Sequence, residues 1–447
     1  MSPKLYPFQR IGAAWLGDRD RALLADEMGI GKSAQAICAA DELGAESILV
    51  LCKAIGKDHW VREFQKFSTR GDRFAAGQVL NSASAVHDAP LHVINYDIIH
   101  YPKVLHRLLK RHWDVIIMDE MHMLKGGETT RRGQAALDPK RGIWTRGDAV
   151  WGLSGTPAPN HPGELYPWLK ALHPDLVQGL DWEGFLRKYL KTQDTPYGTK
   201  VTGTKDKAGL QKISREIMLR RKRTEVLPEL PPLTVDHMTL TSRDALPSHL
   251  MELEDNPARE EVLAVLKVLG QEASPEQVLW DAGFHPAELR RLYGLAKAPL
   301  VAQQVIDELE SGQDKVVIMG WHRDVIFALE RYLDRYNPVT VVGGTKDVTD
   351  MVLRFQNDPS CRVFLGNILS AGTTITLTAA NRLIFAEYSW TPADNEQALL
   401  RILRIGQERP CRVSYLSLAH SLDEVITGVF QRKAALLESA FNQPLSV

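Results

Sequence analysis

The chain has 447 residues, of which 44% are hydrophobic and 24% charged, and its formal net charge is −1. This composition is ordinary for a globular protein, and the length predicts two to four domains. The near-neutral charge gives no sign of nucleic-acid binding, although a basic channel can be balanced by acidic surface elsewhere. Four scattered cysteines without a CxxC pair argue against a zinc site or a disulfide framework and indicate a reducing compartment. The first residues lack a signal-peptide pattern, and no apolar run has membrane-spanning length.

A glycine-rich turn separates the apolar run RALLA (21–25) from the helix-spaced segment SAQAICAADEL (33–43). A strand, a glycine turn and a helix start form the context of a P-loop, which binds phosphate through backbone N–H groups. Lys32 would reach the β- and γ-phosphates, and the Ser33 hydroxyl would hold Mg²⁺. The predicted nucleotide-binding residues of the turn are Met28, Gly29, Ile30, Gly31, Lys32 and Ser33. Asp26 stands where the GxxxxGK[ST] pattern begins with glycine, so an ordinary glycine turn before a helix is the alternative.

An acidic pair, Asp119 and Glu120, ends the apolar run VIIM (115–118). Carboxylates at the end of a buried strand belong in the crevice where open α/β sheets bind ligands. Asp119 would orient Mg²⁺ and its waters, and Glu120 would act as general base on the attacking water. The alternative is a solvated acidic turn after a core strand. Together, the P-loop and the acidic pair favour a nucleoside triphosphatase.

Apolar runs of strand length alternate with helical patterns in two series. The predicted strands of the first series, after RALLA, are 47–52, 92–96, 115–118 and 149–154, and those of the second are 315–321, 338–344, 362–367, 381–388 and 412–418. This alternation predicts parallel sheets covered by helices. Between the series, residues 165–225 are predicted to be mainly helical, with a polar glycine–threonine stretch, and 244–295 helical again after the break PELPPL. The sequence thus predicts an α/β protein with two similar lobes and a cleft.

The second series has no P-loop but contains QALLRILRIGQ (397–407). Gln397, Arg401 and Arg404 are spaced so that they share one face of a predicted helix. Such a face could present two guanidinium groups to the γ-phosphate, as an arginine finger does. An amphipathic helix with a solvated basic face is the alternative.

The sequence resembles the Swi/Snf-type DNA-dependent ATPases of helicase superfamily two. The motifs that carry the resemblance occur in order from about residue 4 to about 435: LYPFQRIGAAWL, ADEMGIGKSAQAI, DVIIMDEMHMLKG, LSGTPAPNHPGELY, IMLRRKRTEVLPELPP and QALLRILRIGQ. Within this family, HWVREF, PGELY and LIFAEYSW most resemble the annealing-helicase or fork-remodelling branch. The resemblance implies two RecA-like parallel-sheet lobes with helical protrusions between and around them. It implies an ATP-binding lobe over 1–235 with a protrusion at about 163–225, a helical linker over 236–297 and a helicase lobe over 298–447.

The resemblance also implies roles for single residues. Gln9 matches the glutamine that reads adenine, with a helix cap or surface residue as the alternative. Ser154 and Thr156 match the segment that couples the ATP state to the grip on nucleic acid. Arg401 and Arg404 match the paired arginines, and Arg404 is the expected finger.

Gly372 matches the segment that contacts nucleotide and backbone phosphate, and Gln397 is assigned with it to nucleotide binding. The sequence departs from the family at Met121 in DEMH, in the loop GTTITLT after Ala371, and where leucines replace polar residues in the arginine segment, at Leu399, Leu400 and Leu403. These departures put the detailed second-lobe contacts in doubt, not the catalytic carboxylate.

The function that the resemblance implies is ATP-dependent translocation along double-stranded DNA, with ATP and Mg²⁺, at forks or branched DNA. Lys53, Lys57 and Arg62 are hypothesised to line a DNA face of the first lobe, with a solvated basic surface as the alternative. For the basic run LRRKR (219–223), a structural or DNA-facing role is preferred over nuclear targeting.

Three rival functions stay open: an RNA or DNA unwinding helicase, an ATP-dependent switch that does not translocate, and the motor subunit of a restriction or defence complex. We expect a monomer with a protein partner in replication, repair or defence, no membrane association, and a cytoplasmic location in a bacterium or its phage rather than in a nucleus.

Overall fold

The computed structural model describes residues 5–75, 77–84, 87–195, 198–240, 286–371 and 375–419, together with 421, 423 and 427. These residues divide into two compact units, one up to Pro228 and one from Glu229. No helix among them is both long and apolar enough to cross a membrane.

The first unit is built on a sheet of parallel strands. Its strands in chain order, with a separate hairpin formed by β7 and β8, are β1 (Arg21–Leu24), β2 (Ile48–Cys52), β3 (Gln78–Val79), β4 (Leu91–Asn95), β5 (Trp113–Asp119), β6 (Gly147–Leu153), β7 (Leu190–Thr195), β8 (Gly198–Thr204) and β9 (Met218–Leu219). The sheet order is β3-β4-β2-β5-β6-β1-β9, and each pairing is parallel. All these strands therefore end at the same edge of the sheet.

Helices cover both faces of this sheet. They are α1 (Pro7–Gly17), α2 (Lys32–Glu42), α3 (Lys57–Phe67), α4 (Gly71–Phe74), α5 (Pro102–Leu109), α6 (Arg131–Leu137), α7 (Tyr166–Leu172), α8 (Pro174–Val177), α9 (Trp182–Tyr189), α10 (Lys207–Ile217) and α11 (Arg223–Val226). Along β5, Val115 and Ile117 pack into the core on one face, and Ile116 and Met118 into the core on the other. A parallel sheet buried on both sides needs such continuous apolar strands, which is why VIIM could be recognised.

The second unit repeats this architecture. Its strands are β10 (Leu233–Leu240), β11 (Val316–Gly320), β12 (Val339–Val341), β13 (Val363–Asn367), β14 (Arg382–Phe385) and β15 (Cys411–Leu418), in the parallel order β10-β15-β14-β11-β13-β12. Its helices are α12 (Pro286–Glu310), α13 (Arg323–Tyr332), α14 (Val348–Asn357), α15 (Ile368–Ala371) and α16 (Pro392–Leu399). The predicted α/β class with two parallel-sheet lobes is confirmed.

The predicted domain boundaries differ from the structure. Position 235 falls inside β10, which pairs with β15 and so belongs to the second unit. Position 298 falls inside the continuous helix α12, which is tied to the second sheet because the buried Lys297 ammonium donates to the Leu416 carbonyl over 2.8 Å. Most of the predicted linker, residues 241–285, lies outside the described residues. In the predicted protrusion, the polar glycine–threonine stretch contributes to the hairpin β7–β8 between α9 and α10.

Candidate active site

The P-loop turn connects the end of β1 to the start of α2. Gly29 and Gly31 both have positive φ angles, 84° and 82°, which favour glycine. At Gly31 a Cβ atom would also lie only 2.4 Å from Nε2 of Gln9. The Lys32 ammonium reaches back into the turn and donates to the carbonyls of Asp26 (2.8 Å) and Glu27 (3.2 Å). The backbone therefore has the predicted strand–turn–helix form, with the lysine at its centre.

Gln9 supports this turn from helix α1. Its side chain is buried, donates from Nε2 to the Ile30 carbonyl over 3.0 Å and accepts the Tyr6 N–H at 3.0 Å. The structure thus gives Gln9 a helix-capping and turn-bracing position. Its predicted contact with adenine stays a prediction.

Asp26, which departs from the glycine pattern, is the centre of a fully buried ion pair that the sequence did not reveal. Its carboxylate accepts Nε of Arg221 at 2.9 Å, Nη2 at 2.5 Å and the Arg221 backbone N–H at 3.2 Å. Arg221 also donates to Oε1 of Gln35 (2.8 Å) and to the Phe8 carbonyl (2.6 Å). The guanidinium thus joins the P-loop to α1 and α2.

The neighbouring Arg220 extends this connection. Its Nη1 donates to the carbonyls of Ala25 (3.2 Å) and Gly155 (3.1 Å), which belong to the P-loop and to the SGTP segment. The two arginines lie just after β9, which pairs with β1. Arg220 and Arg221 of the basic run 219–223 therefore have a structural role, which is one of the two roles preferred for this run. A DNA-facing role of the run stays a prediction.

The acidic pair lies at the end of β5, with β6 between it and β1. Trp60 donates from Nε1 to Oδ2 of Asp119 over 2.9 Å, and the Tyr96 hydroxyl donates to the Asp119 carbonyl over 2.7 Å. Glu120 has a φ of 51° and a ψ of 50°, a left-handed conformation that costs energy for a residue other than glycine. His122 Nδ1 lies 3.3 Å from Oε2 of Glu120. Glu120 is therefore held at a strained backbone position directly after β5.

The two carboxylates differ in their affinity for protons. Burial and the adjacent Glu120 raise the pKa of Asp119 to about 6. Burial by itself would raise the pKa of Glu120, but the hydrogen bond and the charge of His122 outweigh it and lower this pKa to about 2. Lys32 and Lys53 lower the pKa of both groups, so both ammonium groups lie within electrostatic reach of the pair.

Ser154 connects the SGTP segment to this pair. It is buried directly after β6, and its hydroxyl lies 3.0 Å from Nδ1 of His122. The same hydroxyl accepts the Thr156 N–H at 3.2 Å. The Thr156 Oγ1 atom is buried and has no hydrogen-bond partner among the described residues. The structure therefore brings Ser154 and Thr156 to the site, although the coupling role predicted for them is not tested by their positions.

The basic residues of the hypothesised DNA face are distributed differently. Lys53 follows β2 and acts on the carboxylate pair. Lys57 donates to the Leu80 carbonyl and Arg62 to the Asp58 carbonyl, each over 3.3 Å. Their contact with DNA stays a prediction.

The residues at this edge fit a magnesium-bound nucleotide. The Asp119 carboxylate and the Ser33 hydroxyl are hard oxygen donors of the kind that Mg²⁺ prefers. Burial, and after it the negative charge of Glu120, raise the pKa of Asp119, and a bound cation would offset both effects. The described residues contain no cluster of three or more His, Cys, Asp or Glu side chains placed to hold a metal. Magnesium commonly binds through one or two protein groups together with phosphates.

In the second unit, the predicted helix over 397–407 is wrong beyond Leu399, where α16 ends. The following residues form turns, and Leu399, Leu400, Ile402 and Leu403 are all buried. Gln407 holds these turns by donating to the carbonyls at 378, 380 and 402.

The two arginines nevertheless meet. Nη1 of Arg401 and Nη1 of Arg404 both donate to the Ile375 carbonyl, over 3.4 Å and 3.2 Å, and Arg404 also donates to the Thr376 hydroxyl over 3.0 Å. Gln397 is buried within α16. Gly372 lies outside the described residues, as do the two threonines that follow it.

A buried carboxylate of the second unit was also missed. Glu387, just after β14, accepts the backbone N–H groups of Trp321 (2.9 Å) and His322 (2.8 Å) and lies 2.7 Å from Nδ1 of His322. Burial would raise the pKa of Glu387, but the interactions with His322 lower it. An acid ending the apolar run LIFAE is the same signal as the acid that ends VIIMDE, and it could have revealed this residue.

A glycine turn at a helix start and a carboxylate pair at the same edge of one parallel sheet define a P-loop nucleotide-binding lobe. The SNF2-related domain family model matches residues 8–245, and the chain belongs to this family. The Swi/Snf-type resemblance carried by the motifs is thereby confirmed.

Two relatives and one solved structure illustrate the similarity. The SWI/SNF-related matrix-associated actin-dependent regulator of chromatin subfamily A-like protein 1 of Bos taurus is 26% identical over 450 residues, covering 98% of this chain and 45% of that protein. The DNA annealing helicase and endonuclease ZRANB3 of Mus musculus is 27% identical over 460 residues, covering 98% of this chain and 41% of that protein. The chain thus spans less than half the length of these two relatives. A Sulfolobus solfataricus SWI2/SNF2 ATPase core in complex with dsDNA matches with a TM-score of 0.44 and 20% identity, covering 100% of this chain and 98% of that one.

Proposed function

We propose that this protein is an ATP-dependent motor that hydrolyses ATP to ADP and phosphate in order to move along, or remodel, double-stranded or branched DNA. The observation that carries the proposal is that Lys32 lies within electrostatic reach of the Asp119–Glu120 pair at one sheet edge, in a chain of the SNF2-related family. Family relatives with names such as "DNA annealing helicase" support DNA as the substrate.

The P-loop residues would bind the phosphates. The N–H groups of the turn and the start of α2 attract negative charge, and Lys32 would exchange its two carbonyl partners for phosphate oxygens. Asp119 and Ser33 would hold Mg²⁺, which neutralises phosphate charge when bound. These groups position the nucleotide rather than react with it.

Glu120 would activate water. Its low pKa keeps the carboxylate ionised at neutral pH, so it can accept a proton, and its strained backbone fixes its direction. The same ring nitrogen of His122, Nδ1, lies 3.3 Å from Oε2 of Glu120 and 3.0 Å from the Ser154 hydroxyl. This contact gives the SGTP segment a direct way to respond to the state of the base.

The remaining roles belong to the same proposal. Arg401 and Arg404 would complete the site as arginine fingers, and contacts to DNA phosphates would let the motor move without base preference. A monomeric state, a cytoplasmic location and a protein partner in replication, repair or defence are proposed with it.

Steady-state ATP hydrolysis tests the proposal. The wild type, Lys32→Ala and Glu120→Gln are measured without nucleic acid and with duplex DNA, single-stranded DNA, a branched fork or RNA, and Lys103→Ala, an exposed lysine in α5, serves as control. We expect duplex or fork DNA to stimulate the wild type and the control, and Lys32→Ala and Glu120→Gln to lose at least about 100-fold in rate. Stimulation by RNA alone, or by no nucleic acid, would refute the proposal.

Triplex displacement separates a motor from a switch. A translocating enzyme removes a third strand from duplex DNA while ATP is hydrolysed. Intact DNA-stimulated hydrolysis without displacement would favour the switch, and separation of a plain duplex would favour the unwinding helicase.

A further inference from the structure

The hairpin β7–β8 is a mainly polar two-stranded ribbon between helices α9 and α10 of the first unit. Its described residues pair in antiparallel register, with Gln193 opposite Lys200 and Lys191 opposite Gly203, and a bulge lies at Lys191/Thr192. A two-stranded hairpin is marginally stable alone, so a chain that keeps such a ribbon exposed has a reason to present it.

The two faces of the hairpin have different surroundings. Val201, opposite Thr192, packs against the apolar core of the first unit. Side chains alternate between the faces of a strand, so Lys191, Gln193 and Lys200 point to the other face. All three are exposed. The ribbon therefore rests on the lobe with one face and presents a basic and amide-bearing face to solvent.

This region is basic although the chain as a whole carries a net charge of −1. Between 187 and 207 there are six basic side chains and two acidic ones. Both acids are occupied locally, since Asp194 accepts the Thr199 hydroxyl at 3.0 Å and Asp206 caps α10 through the Gly209 N–H at 2.8 Å. These hydrogen bonds leave both carboxylates charged, so six basic and two acidic side chains give the segment 187–207 a formal net charge of +4. Arg187 also pairs with Glu183 just outside this segment.

Lys191 and Lys200 form a diagonal pair across the two strands. Diagonal neighbours are about 7–8 Å apart, and each strand of duplex DNA carries one charge per ~3.4 Å of rise. Two long lysine side chains on such a pair can meet two different phosphates. The Lys191 stem lies over Gly203, where a Cβ atom would be 3.4 Å from its Cδ, so this glycine leaves room for the lysine to lie flat on the ribbon. Neither ammonium has an anionic partner among the described residues.

We propose that the exposed face of β7–β8, through Lys191 and Lys200, binds the sugar–phosphate backbone of duplex DNA. This inference rests on the proposed function, since it assigns a DNA contact to the same motor. Charge complementarity is the argument for DNA: the described residues of the ribbon offer ammonium, amide and hydroxyl donors, and backbone recognition in duplex DNA uses such donors. A lysine ribbon outside the nucleotide site would add to the grip on DNA without taking part in hydrolysis.

The salt dependence of DNA binding tests the contact. Affinity for a fluorescent 20-base-pair duplex is measured from 50 to 300 mM salt for the wild type, Lys191→Gln/Lys200→Gln and the control Lys103→Gln/Lys110→Gln, which removes two lysines from the α5 region of the same unit. Each lost phosphate contact lowers the slope of log affinity against log salt by ~0.9. We expect the hairpin variant to lose about two in slope and on the order of 10- to 60-fold in affinity at 0.1 M salt, with the control unchanged. An unchanged slope in the hairpin variant overturns the inference.

Crosslinking gives an independent measurement. The four native cysteines are all buried, so Gln193→Cys supplies a single exposed thiol for a photo-crosslinker. We expect a crosslink to duplex DNA from this position and none from the control Lys103→Cys. Poly-glutamate is tested as a competitor for the same surface. If it binds the wild type as tightly as DNA does and loses affinity equally in the hairpin variant, the inference of a DNA contact is overturned in favour of an acidic protein partner.

Failure of the inference and failure of the proposed function are distinguishable. If the wild type shows neither DNA binding nor DNA-stimulated hydrolysis, the proposed function fails. If the wild type binds DNA and the hairpin variant binds equally well, only the hairpin contact fails. The ATPase rate without DNA stays at the wild-type value in the hairpin variant in both cases.

Discussion

The buried pair Asp26–Arg221 allows a sharp test of how the P-loop is held. Arg221→Met removes the guanidinium and keeps an apolar side chain of similar length. Among the described residues, the Asp26 carboxylate then keeps the Gln35 amide (3.1 Å) and the backbone N–H of residue 221 as donors, at a site without solvent exposure. Oε1 of Gln35 and the Phe8 carbonyl lose a donor as well.

The magnitude follows from this geometry. Removing one partner of a buried ion pair costs about 3–5 kcal/mol, because the remaining charge stays buried without compensation. For a unit of this size, 1 kcal/mol corresponds to roughly 2–4 °C in melting temperature, so the first unit should melt on the order of 6–20 °C earlier. Replacing both partners by apolar residues, as in Asp26→Leu/Arg221→Met, should cost much less than the sum of the single changes, since no charge stays behind.

The assay is thermal unfolding followed by tryptophan fluorescence, which reports mainly on the first unit because most tryptophans precede Pro228. The matched control is Arg187→Met, which removes an arginine from an exposed pair with Glu183 at 3.6 Å and should cost less than about 0.5 kcal/mol. The reasoning is refuted if Arg221→Met and Arg187→Met lower the melting temperature equally. It is also refuted if the double variant loses as much stability as the two single variants together.

Three further predictions concern backbone strain and charge. Gly31→Ala should lower the melting temperature more than Gly29→Ala. Both changes add about 1–2 kcal/mol of left-handed backbone strain, but of the two only Gly31→Ala places a Cβ atom against Gln9. Equal losses in melting temperature would contradict this prediction. Asp119→Asn should abolish hydrolysis yet raise the free energy of unfolding at pH 8 by up to about 3 kcal/mol. The folded pKa of Asp119, about 6, exceeds its ordinary 3.8, so the wild type loses stability as pH rises through this window, and the gain should vanish below pH 4 in urea titrations. Glu387→Gln should lower the free energy of unfolding by about 1–3 kcal/mol at neutral pH. Because the pKa of Glu387 is lowered in the folded protein, this loss should persist above pH 4.5, the ordinary pKa, and shrink as the pH falls through the folded pKa. A loss of stability that does not change with pH would contradict this reasoning.

The sequence by itself determined the strands with continuous apolar runs, the P-loop and the acidic pair, since each depends on neighbouring residues. It did not reveal β3, β7, β8, β9 or β10. Continuous apolar runs such as VIIM identify strands buried on both faces, and glycines at 29 and 31 satisfy backbone angles that other residues rarely adopt. The order of these motifs along the chain was enough to predict the family, and their common sheet edge followed from parallel strands.

The tertiary structure decided the features that depend on distant partners. Asp26 looked like a defect in a glycine pattern until Arg221, 195 positions away, was found against it. The strand β10 and the helix α12 belong to the second unit because of their contacts with β15 and Leu416, and no local pattern marks those contacts. Helix α16 ends at Leu399, and the turns after it are held by hydrogen bonds from Gln407 to the carbonyls of Thr378 and Ala380 in an earlier segment. In each case, burial and hydrogen bonds between segments far apart in the chain outweigh local propensity. These contacts cannot be recognised from the order of residues along a single sequence.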